Sequence, residues 1–391
     1  MSDPIHDTAV PHWISVEQAK AVGQNATGSC MAQWCCPDFI SKHCQQNAIN
    51  ESSIQSGASS SSQSPLQLLM QRIYDQACLS RLQPYTSMLA DIEESIMTAY
   101  RKVAVAGATG NLGPAIVQGL VDGGFEVTVL SRSGRSDGLP SGIEIVTVDY
   151  SSRDSLVNAL TGQDAFVSAI PNHGEQAPLI DAAIAAGVKR FLPSDFGSDV
   201  PGNANAAALP VFKGKVATRD YLKKKENEIS HTFVINSLFL DWGIKLGFQL
   251  NLNGTTKLYD NPDTKRSYTA LADIGKAVAN ILKKPKETKN RAVYIQSTAI
   301  SQNELLAIAK KVKPGFKAET ESVSTEQVLK DSYAALEKGG EAIGGAMVGF
   351  IIVSIFNEKY GGNFEGRNDN ELLGIKEKSP TELEALVKQY A

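Results

Sequence analysis

Three glycines at intervals of three residues follow the first strongly patterned strand of the sequence. They lie in the segment Gly107-Ala-Thr-Gly-Asn-Leu-Gly113. Glycine permits a tight turn and close backbone approach to a pyrophosphate, and a helix that begins there offers free N–H groups and its positive dipole end. Because the loop joins a predicted strand to a predicted helix, we interpret it as dinucleotide-binding, with a plain glycine-rich turn as the alternative. The predicted binding residues are Gly107, Thr109, Gly110, Asn111, Leu112 and Gly113.

The end of the second predicted strand indicates which dinucleotide binds. An Asp or Glu at this place would hold the ribose 2′-hydroxyl of NAD. The sequence instead reads Leu130-Ser-Arg-Ser-Gly-Arg135, with no acid and two arginines. Arg132 and Arg135 could pair with a 2′-phosphate, so we expect NADP(H) as the cofactor. The alternative is that both arginines are solvated loop charges.

Further candidates follow the third and fourth predicted strands, at the carboxyl edge where ligands bind to such sheets. Asp149 either caps the next helix or contacts the adenine, and both roles remain open. Ile170 and Pro171 are predicted cofactor contacts. Asn172 and His173 are predicted substrate contacts, with an ordinary loop histidine as the alternative for His173.

Short β-branched runs and helical segments alternate from residue 102 onward, which is typical of βαβ units. The predicted strands are 102–106, 126–130, 144–148, 165–170, 190–193 and 232–236. The predicted helices are 112–121, 153–160, 176–186 and 211–225. This order predicts an α/β fold, namely a Rossmann-type doubly wound parallel sheet with a smaller C-terminal α/β substrate lobe.

The chain changes character near residue 96. Residues 1–96 are rich in Ser, Gln, Asn and Ala, and we expect a low-complexity, poorly ordered extension. Met97 resembles a natural start, so the extension is either a dispensable tail or an artefact of gene prediction. We assign 97–255 to an NADP-binding Rossmann domain. Residues 256–391 then form the substrate-binding lobe, with segments that return to the sheet.

Composition excludes several classes of function. The 391 residues carry 38 Lys and Arg against 42 Asp and Glu, a formal charge of −4, so no basic surplus is available for a nucleic acid. The longest largely apolar stretch, 346–356, is shorter than the roughly 20 residues that a membrane-spanning helix needs. We therefore expect a small-molecule substrate, no nucleic acid and no membrane. The oligomeric state remains open.

All five cysteines lie within the first 78 residues. The sequence shows no secretory signal, which makes a disulfide framework improbable and favours a cytoplasmic protein. Four of the cysteines lie near His43, but their spacing lacks the paired C-x2-C knuckles of structural zinc sites. We predict no metal site.

Several segments resemble one protein family. They are the glycine loop, Ser131-Arg132, residues 181–199 with Val188-Lys-Arg-Phe-Leu-Pro-Ser-Asp-Phe-Gly197, and residues 268–278. They are similar to the NmrA-like and isoflavone-reductase-like atypical short-chain dehydrogenases, above all to the fungal members called CipA-like. The match runs from about residue 101 to the C-terminus. Asp195 stands where the family has Glu.

The resemblance implies an NADPH-dependent reductase with a catalytic lysine on the helix after this segment and an aromatic substrate pocket in the C-terminal lobe. The family's lysine corresponds to Lys215. At about 100° per residue, Lys215 falls within the apolar stripe of its helix, whereas Lys213 falls on the opposite side. Desolvation there would lower its pKa and suit it to proton transfer.

The resemblance also indicates substrate contacts. Phe196 belongs to the quoted motif, and residues 236–242 resemble the family's substrate-facing loop. Within that loop, Phe239 and Trp242 either stack on an aromatic substrate or pack the lobe.

Two alternatives remain. Tyr221 and Lys225 satisfy the Y-x-x-x-K spacing of tyrosine-dependent short-chain dehydrogenases, but they lie away from the apolar stripe. The chain could also be a non-catalytic, NADP(H)-binding redox sensor of the NmrA type that acts on a protein partner. The position of Lys215 on the apolar stripe favours an enzyme, which would transfer hydride from NADPH to a small aromatic or phenylpropanoid-like substrate.

Overall fold

The structure, a computed structural model, describes residues 100–171 and 176–391. The predictions for the extension 1–96 and its cysteines lie outside these residues. The same holds for the predicted substrate contacts Asn172 and His173. All structural statements below concern the described residues.

Twelve strands form three sheets in the described part of the chain. The strands are β1 Lys102–Ala106, β2 Glu126–Ser131, β3 Glu144–Thr147, β4 Ala165–Ser168, β5 Arg190–Leu192, β6 Ser230–Ile235, β7 Leu238–Phe239, β8 Thr256–Tyr259, β9 Arg266–Thr269, β10 Arg291–Tyr294, β11 Thr298–Ile300 and β12 Thr320–Val323. The central sheet has the order β3-β2-β1-β4-β5-β6-β10. All its neighbouring strands are parallel. This is the strand order of a doubly wound sheet, with one further strand at its edge.

Eleven α-helices connect these strands in the described residues. They are α1 Gly113–Asp122, α2 Arg153–Leu160, α3 Gln176–Ala185, α4 Ala204–Ala208, α5 Lys213–Lys224, α6 Leu240–Lys245, α7 Leu271–Lys283, α8 Gln302–Val312, α9 Thr325–Lys338, α10 Ala342–Phe356 and α11 Pro380–Lys388. Short 3₁₀ turns precede α5, at Pro210–Phe212, and follow α10, at Glu358–Tyr360.

The two faces of the central sheet bury separate apolar clusters. Val103 and Val105 of β1 point to one face, where they meet α1 and α7. Ala104 and Ala106 point to the other, where α2 and α3 cover them. This alternation follows the two-residue period of a strand, and helices on both faces account for the continuous apolar character of β1.

The C-terminal third of the chain contributes to two regions. Its own core lies around Tyr268 and Phe356, where the sheet β11-β9-β7 and the pair β12-β8 pack with α8 and α11. Strand β10 joins the central sheet beside β6, and Leu373 and Ile375 complete the cluster under α1 and α7. The proposed boundary at 255/256 stays a prediction.

The predicted fold class is confirmed, and the differences concern where elements end. Strand β4 stops at Ser168 rather than residue 170, because its pairing with β1 ends where Ala106 meets Ser168. Strand β5 stops before Pro193, which has no N–H to donate. The helix predicted over 211–225 begins only at Lys213, after the 3₁₀ turn. The apolar stretch 346–356 lies within α10.

Candidate active site

A cleft of about 1130 Å³ opens at the carboxyl ends of β1, β2, β4 and β5. Of the eleven predicted cofactor residues, nine lie in its wall. They are Gly107, Thr109, Gly110, Asn111, Leu112, Arg132, Arg135, Ile170 and Pro171. Two predicted substrate contacts, Phe196 and Phe239, lie in the same wall. The structure therefore brings together residues that are far apart in the sequence.

The first and last glycines of the loop allow close contacts between backbone segments. Gly107 has a φ of +78°, and a Cβ there would lie 2.7 Å from the carbonyl carbon of Ala169. A Cβ on Gly113 would lie 2.3 Å from the carbonyl oxygens of Gly107 and Ala108. Gly113 is buried and does not line the cleft, so it brings α1 against the loop, and Gly110 lines the cleft itself.

The N-terminus of α1 is suited to an anion. Its N-cap residue, Leu112, supplies no side-chain hydrogen bond, and the first turn contains no acidic residue. The free N–H groups and the dipole of such a terminus attract a phosphate. With the bare backbone of the loop beside it, this terminus fits the pyrophosphate of a dinucleotide.

The far end of the cleft is positively charged. Arg132 and Arg135 are exposed in its wall, and the described wall residues include no Asp or Glu. Tyr150 lies beside them, and its hydroxyl donates to the carbonyl oxygen of Leu130 at 3.0 Å. Burial raises the pKa of Tyr150 to about 12, against the opposing effect of Arg132, so the phenol remains neutral. Two cations without a neighbouring acid suit a phosphate better than a ribose hydroxyl.

Asp149 does not line the cleft in this structure. Its carboxylate accepts hydrogen bonds from the Ser151 hydroxyl at 2.6 Å and the Ser151 N–H at 2.8 Å, and these lower its pKa. Ser152 supplies the N-cap of α2. Of the two roles that the sequence left open, Asp149 therefore does not cap α2, and its contact with adenine stays a prediction.

Lys215 contacts the wall of the cleft by a hydrogen bond to the backbone of Phe196. The Lys215 ammonium donates to the carbonyl oxygen of Phe196 at 2.7 Å and lies 5.6 Å from the ring centre of Phe212. Lys215 is partly buried and is not itself a wall residue. Burial lowers its pKa to about 8, with Asp195 raising it and Arg219 lowering it further. A lysine with this pKa exchanges protons readily near neutral pH.

Gly197, next to Phe196, fixes the turn that Lys215 contacts. Its carbonyl oxygen accepts the N–H groups of Asn236 at 3.2 Å and Ser237 at 2.9 Å. Ser237 has a φ of +53°, a left-handed conformation that non-glycine residues adopt at an energetic cost. The residues that directly follow β6 therefore hold this turn as well.

The alternative pair, Tyr221 and Lys225, forms hydrogen bonds with residues outside the cleft. The Tyr221 hydroxyl donates to Asp181 at 2.5 Å, and the Lys225 ammonium pairs with Glu228 at 2.8 Å. Neither residue lines the cleft. The first bond links α5 to α3, and the second lies just after the end of α5, so neither side chain is directed to the cleft.

Trp242 packs behind Phe239 rather than in the wall. The two rings meet edge to face, with centroids 6.1 Å apart. Phe239 lines the cleft and Trp242 does not, and a contact of either ring with a substrate stays a prediction.

Sequence reasoning missed part of the wall. The missed polar residues are Ser131, Ser133, Tyr150, Ser151 and Ser194, and the missed apolar residues include Pro178 and Leu179. The rule that ligands bind at carboxyl strand ends would have indicated Ser131, the last residue of β2, and Ser194, which follows β5 closely. The same rule, applied to the residue after Asp149, would also have indicated Tyr150, which lies in the loop that follows β3.

Two other kinds of site are not found in the described residues. No group of three or more His, Cys, Asp or Glu side chains is placed to hold a metal ion in 100–171 and 176–391. Within the same residues, no helix has the length and apolar character needed to cross a membrane.

The doubly wound sheet, the glycine loop and the uncapped helix terminus define a dinucleotide-binding α/β protein. Within that class, the chain belongs to the NmrA-like family, whose model matches residues 99–382. The family resemblance drawn from the sequence is thereby confirmed.

Curated relatives carry names of redox enzymes. "Oxidoreductase aprR" of Aspergillus flavus is 34% identical over 296 residues, which cover 73% of this chain and 98% of the relative. "Oxidoreductase poxI" of Penicillium oxalicum is 31% identical, with 74% and 94% covered. "Pinoresinol reductase 2" of Arabidopsis thaliana is 30% identical, with 54% and 74% covered. The predicted oxidoreductase class agrees with these names.

Solved structures share the fold. The apo form of AtPrR2 superposes with a TM-score of 0.59 at 26% identity, covering 74% of this chain and 100% of that one. A leucoanthocyanidin reductase from Vitis vinifera, described as a binary complex with NADPH, gives a TM-score of 0.60 at 22% identity, covering 74% and 99%. The second likeness supports the fold alone.

The close contact at Gly107 predicts a specific cost of substitution. Gly107→Ala and Gly124→Ala each place a side chain at positive φ, which costs about 1 to 2 kcal/mol. Gly124 has open space around it, whereas Gly107 abuts the backbone of Ala169. We expect Gly107→Ala to destabilise the fold by about 1 to 3 kcal/mol more than Gly124→Ala in urea unfolding followed by circular dichroism. Equal losses would show that the contact is not needed.

Proposed function

We propose that the protein is an NADPH-dependent reductase that transfers hydride to a small aromatic or phenylpropanoid-like substrate, with Lys215 as the general acid. The observation that carries this proposal is the position of Lys215. Its ammonium, with a pKa of about 8, is bonded to Phe196 at the edge of a cleft that carries two arginines.

The residues of the cleft are suited to hold NADP(H) along its length. The loop from Gly107 and the N-terminus of α1 would bind the pyrophosphate, and Arg132 and Arg135 would bind the 2′-phosphate. When bound, NADPH supplies a hydride to a substrate carbon. Two arginines in the wall, with no acid among the described wall residues, support NADP(H) over NAD(H).

Lys215 supplies the proton that completes the reduction. Negative charge develops on a substrate oxygen as the neighbouring carbon is reduced, and a proton must neutralise it. The Lys215 ammonium has three N–H groups and donates one to Phe196, so two remain for a substrate. At neutral pH a lysine with a pKa of about 8 is mostly protonated and able to donate.

The substrate class follows from the apolar part of the wall. Phe196 and Phe239 present aromatic rings beside Ile170 and Pro171. Such surfaces pack against a planar aromatic substrate. Relatives named pinoresinol reductase and isoflavone reductase homolog support the phenylpropanoid-like class.

Arg132→Ala tests the choice of cofactor. Loss of a charge-assisted contact to the 2′-phosphate should weaken NADPH binding about 10- to 100-fold and leave NADH binding unchanged. Nicotinamide fluorescence titration of the full chain measures both affinities. Arg153→Ala, on the exposed surface of α2, is the matched control. An equal loss for both nucleotides would contradict recognition of the 2′-phosphate.

Lys215→Ala tests the catalytic role. We expect NADPH affinity within about twofold of wild type and a loss of at least about 100-fold in the oxidation of NADPH by a reactive member of a panel of aromatic ethers and enones. Lys213→Ala, on the exposed side of α5, should retain activity. Tight NADPH binding by the wild type without oxidation by any panel member would favour the redox-sensor alternative.

The pKa of Lys215 predicts the direction in which kcat/KM changes with pH. Because Lys215 acts as an acid with a pKa of about 8, kcat/KM should be constant below that pH and fall tenfold per unit above it. Initial rates between pH 6 and 10 would measure this dependence. A profile that rises through pH 8 would instead indicate that Lys215 accepts a proton.

A further inference from the structure

A buried ion pair lies beside Lys215. The Asp195 carboxylate accepts from Nε of Arg219 at 2.5 Å, and the two side chains are only 3% and 7% exposed. The guanidinium also lies 5.3 Å from the ring centre of Phe233. Neither residue lines the cleft, so this pair is separate from the nucleotide-binding wall.

The pair is held by a single hydrogen bond. The second carboxylate oxygen, Oδ1 of Asp195, is buried without a hydrogen-bond partner, and so is Nη2 of Arg219. A purely structural arginine–carboxylate pair gains most from two parallel bonds. The missing second bond leaves the carboxylate with unused capacity to attract a neighbouring cation.

Two neighbouring cations favour the ionised form of the Asp195 carboxyl, whereas its burial favours the neutral form. Burial raises the pKa of Asp195, while Arg219 and Lys215 oppose that effect. An arginine stays protonated in proteins, so a neutral Asp195 would leave a buried guanidinium without compensation. The short bond between the two therefore joins two charges.

Helix α5 holds one turn of the chain at two adjacent residues. Lys215 and Arg219 are four residues apart and lie on the same face of the helix. Lys215 donates to the backbone of Phe196, and Arg219 donates to the neighbouring side chain of Asp195. The Lys215 ammonium thus has one buried anion and one buried cation as neighbours.

Other charged groups in this region are already paired. Tyr294, which faces Arg219, donates to Asp199 at 2.9 Å. Asp199 also accepts from Arg367 at 2.6 Å. Besides burial, Asp195 and Arg219 are the groups that shift the pKa of Lys215.

We propose that Asp195 and Arg219 are positioning residues for Lys215. The Asp195 carboxylate keeps the Lys215 ammonium at the cleft edge. The Arg219 guanidinium prevents that carboxylate from binding the ammonium. Without Arg219, the freed carboxylate would draw Lys215 into an ion pair and away from Phe196. Without Asp195, Lys215 would face Arg219 alone. This inference rests on the proposed role of Lys215.

The test measures the pKa of Lys215 directly in the full chain. Acylation by trace acetic anhydride at a series of pH values, located by mass spectrometry, reports the free amine fraction of each lysine. In Asp195→Asn the pKa of Lys215 should fall by about one unit or more, and in Arg219→Met it should rise by about one unit or more. The exposed Lys213 on the same helix should not change in either variant.

Opposite shifts are the result that a merely structural role would not give. Shifts in the same direction, or none in folded variants, would overturn the inference. Asp195→Glu keeps the charge and should retain the wild-type pKa of Lys215. The double variant Asp195→Asn with Arg219→Met buries no charge, so it should fold even where a single variant does not. It should return the pKa of Lys215 to near the wild-type value, and a shift as large as in either single variant would also overturn the inference.

The labelling needs no substrate, which separates this inference from the proposed function. If the labelling shifts are opposite but no panel compound oxidises NADPH, the electrostatic coupling holds and the reductase proposal fails. If Lys215→Ala abolishes turnover but the labelling shifts are absent, the reductase holds and the positioning role fails. If the labelling shifts are opposite and Lys215→Ala abolishes turnover, the pH at which kcat/KM falls should shift in each variant as the pKa of Lys215 does.

Discussion

The turn from Asp195 to Gly197 is the constraint on which the candidate site depends. Helix α5 holds it through Lys215 and Arg219, and the two residues after β6 hold it through their backbone N–H groups. Both attachments use buried polar groups, which cost most when left unpaired. Lys215, which is hydrogen-bonded to this turn, is thereby held at a defined position beside the nucleotide-binding wall.

Two physical signals made most of the central sheet predictable. Runs of β-branched residues mark strands buried on both faces, and glycine spacing marks the loop after β1. The smaller sheets were not predictable in the same way. Strand β7 has two residues and β11 has three, too few to show a period, and their pairing depends on distant segments. Here tertiary contacts determine the structure rather than local preference.

The site was predictable to a similar degree. The helical period placed Lys215 on the apolar stripe of α5, but its acceptor is a backbone carbonyl, which no residue type reveals. The pairing of Asp195 with Arg219 joins residues 24 apart in the sequence. A motif can indicate that such residues matter, whereas only the fold shows which atoms meet. The same limit applies to Tyr150, whose loop brings it beside Arg132.

Strand β10 limits where the chain can be divided into separate parts. It comes from the C-terminal third, yet it covers the edge of β6, a strand whose last five residues are buried. A chain ending before residue 291 would expose the unpaired N–H and C=O groups of an apolar strand, which invites edge-to-edge association. The C-terminal region is consequently not an exchangeable module. A chimera that replaces it must also supply an edge strand in the same parallel register.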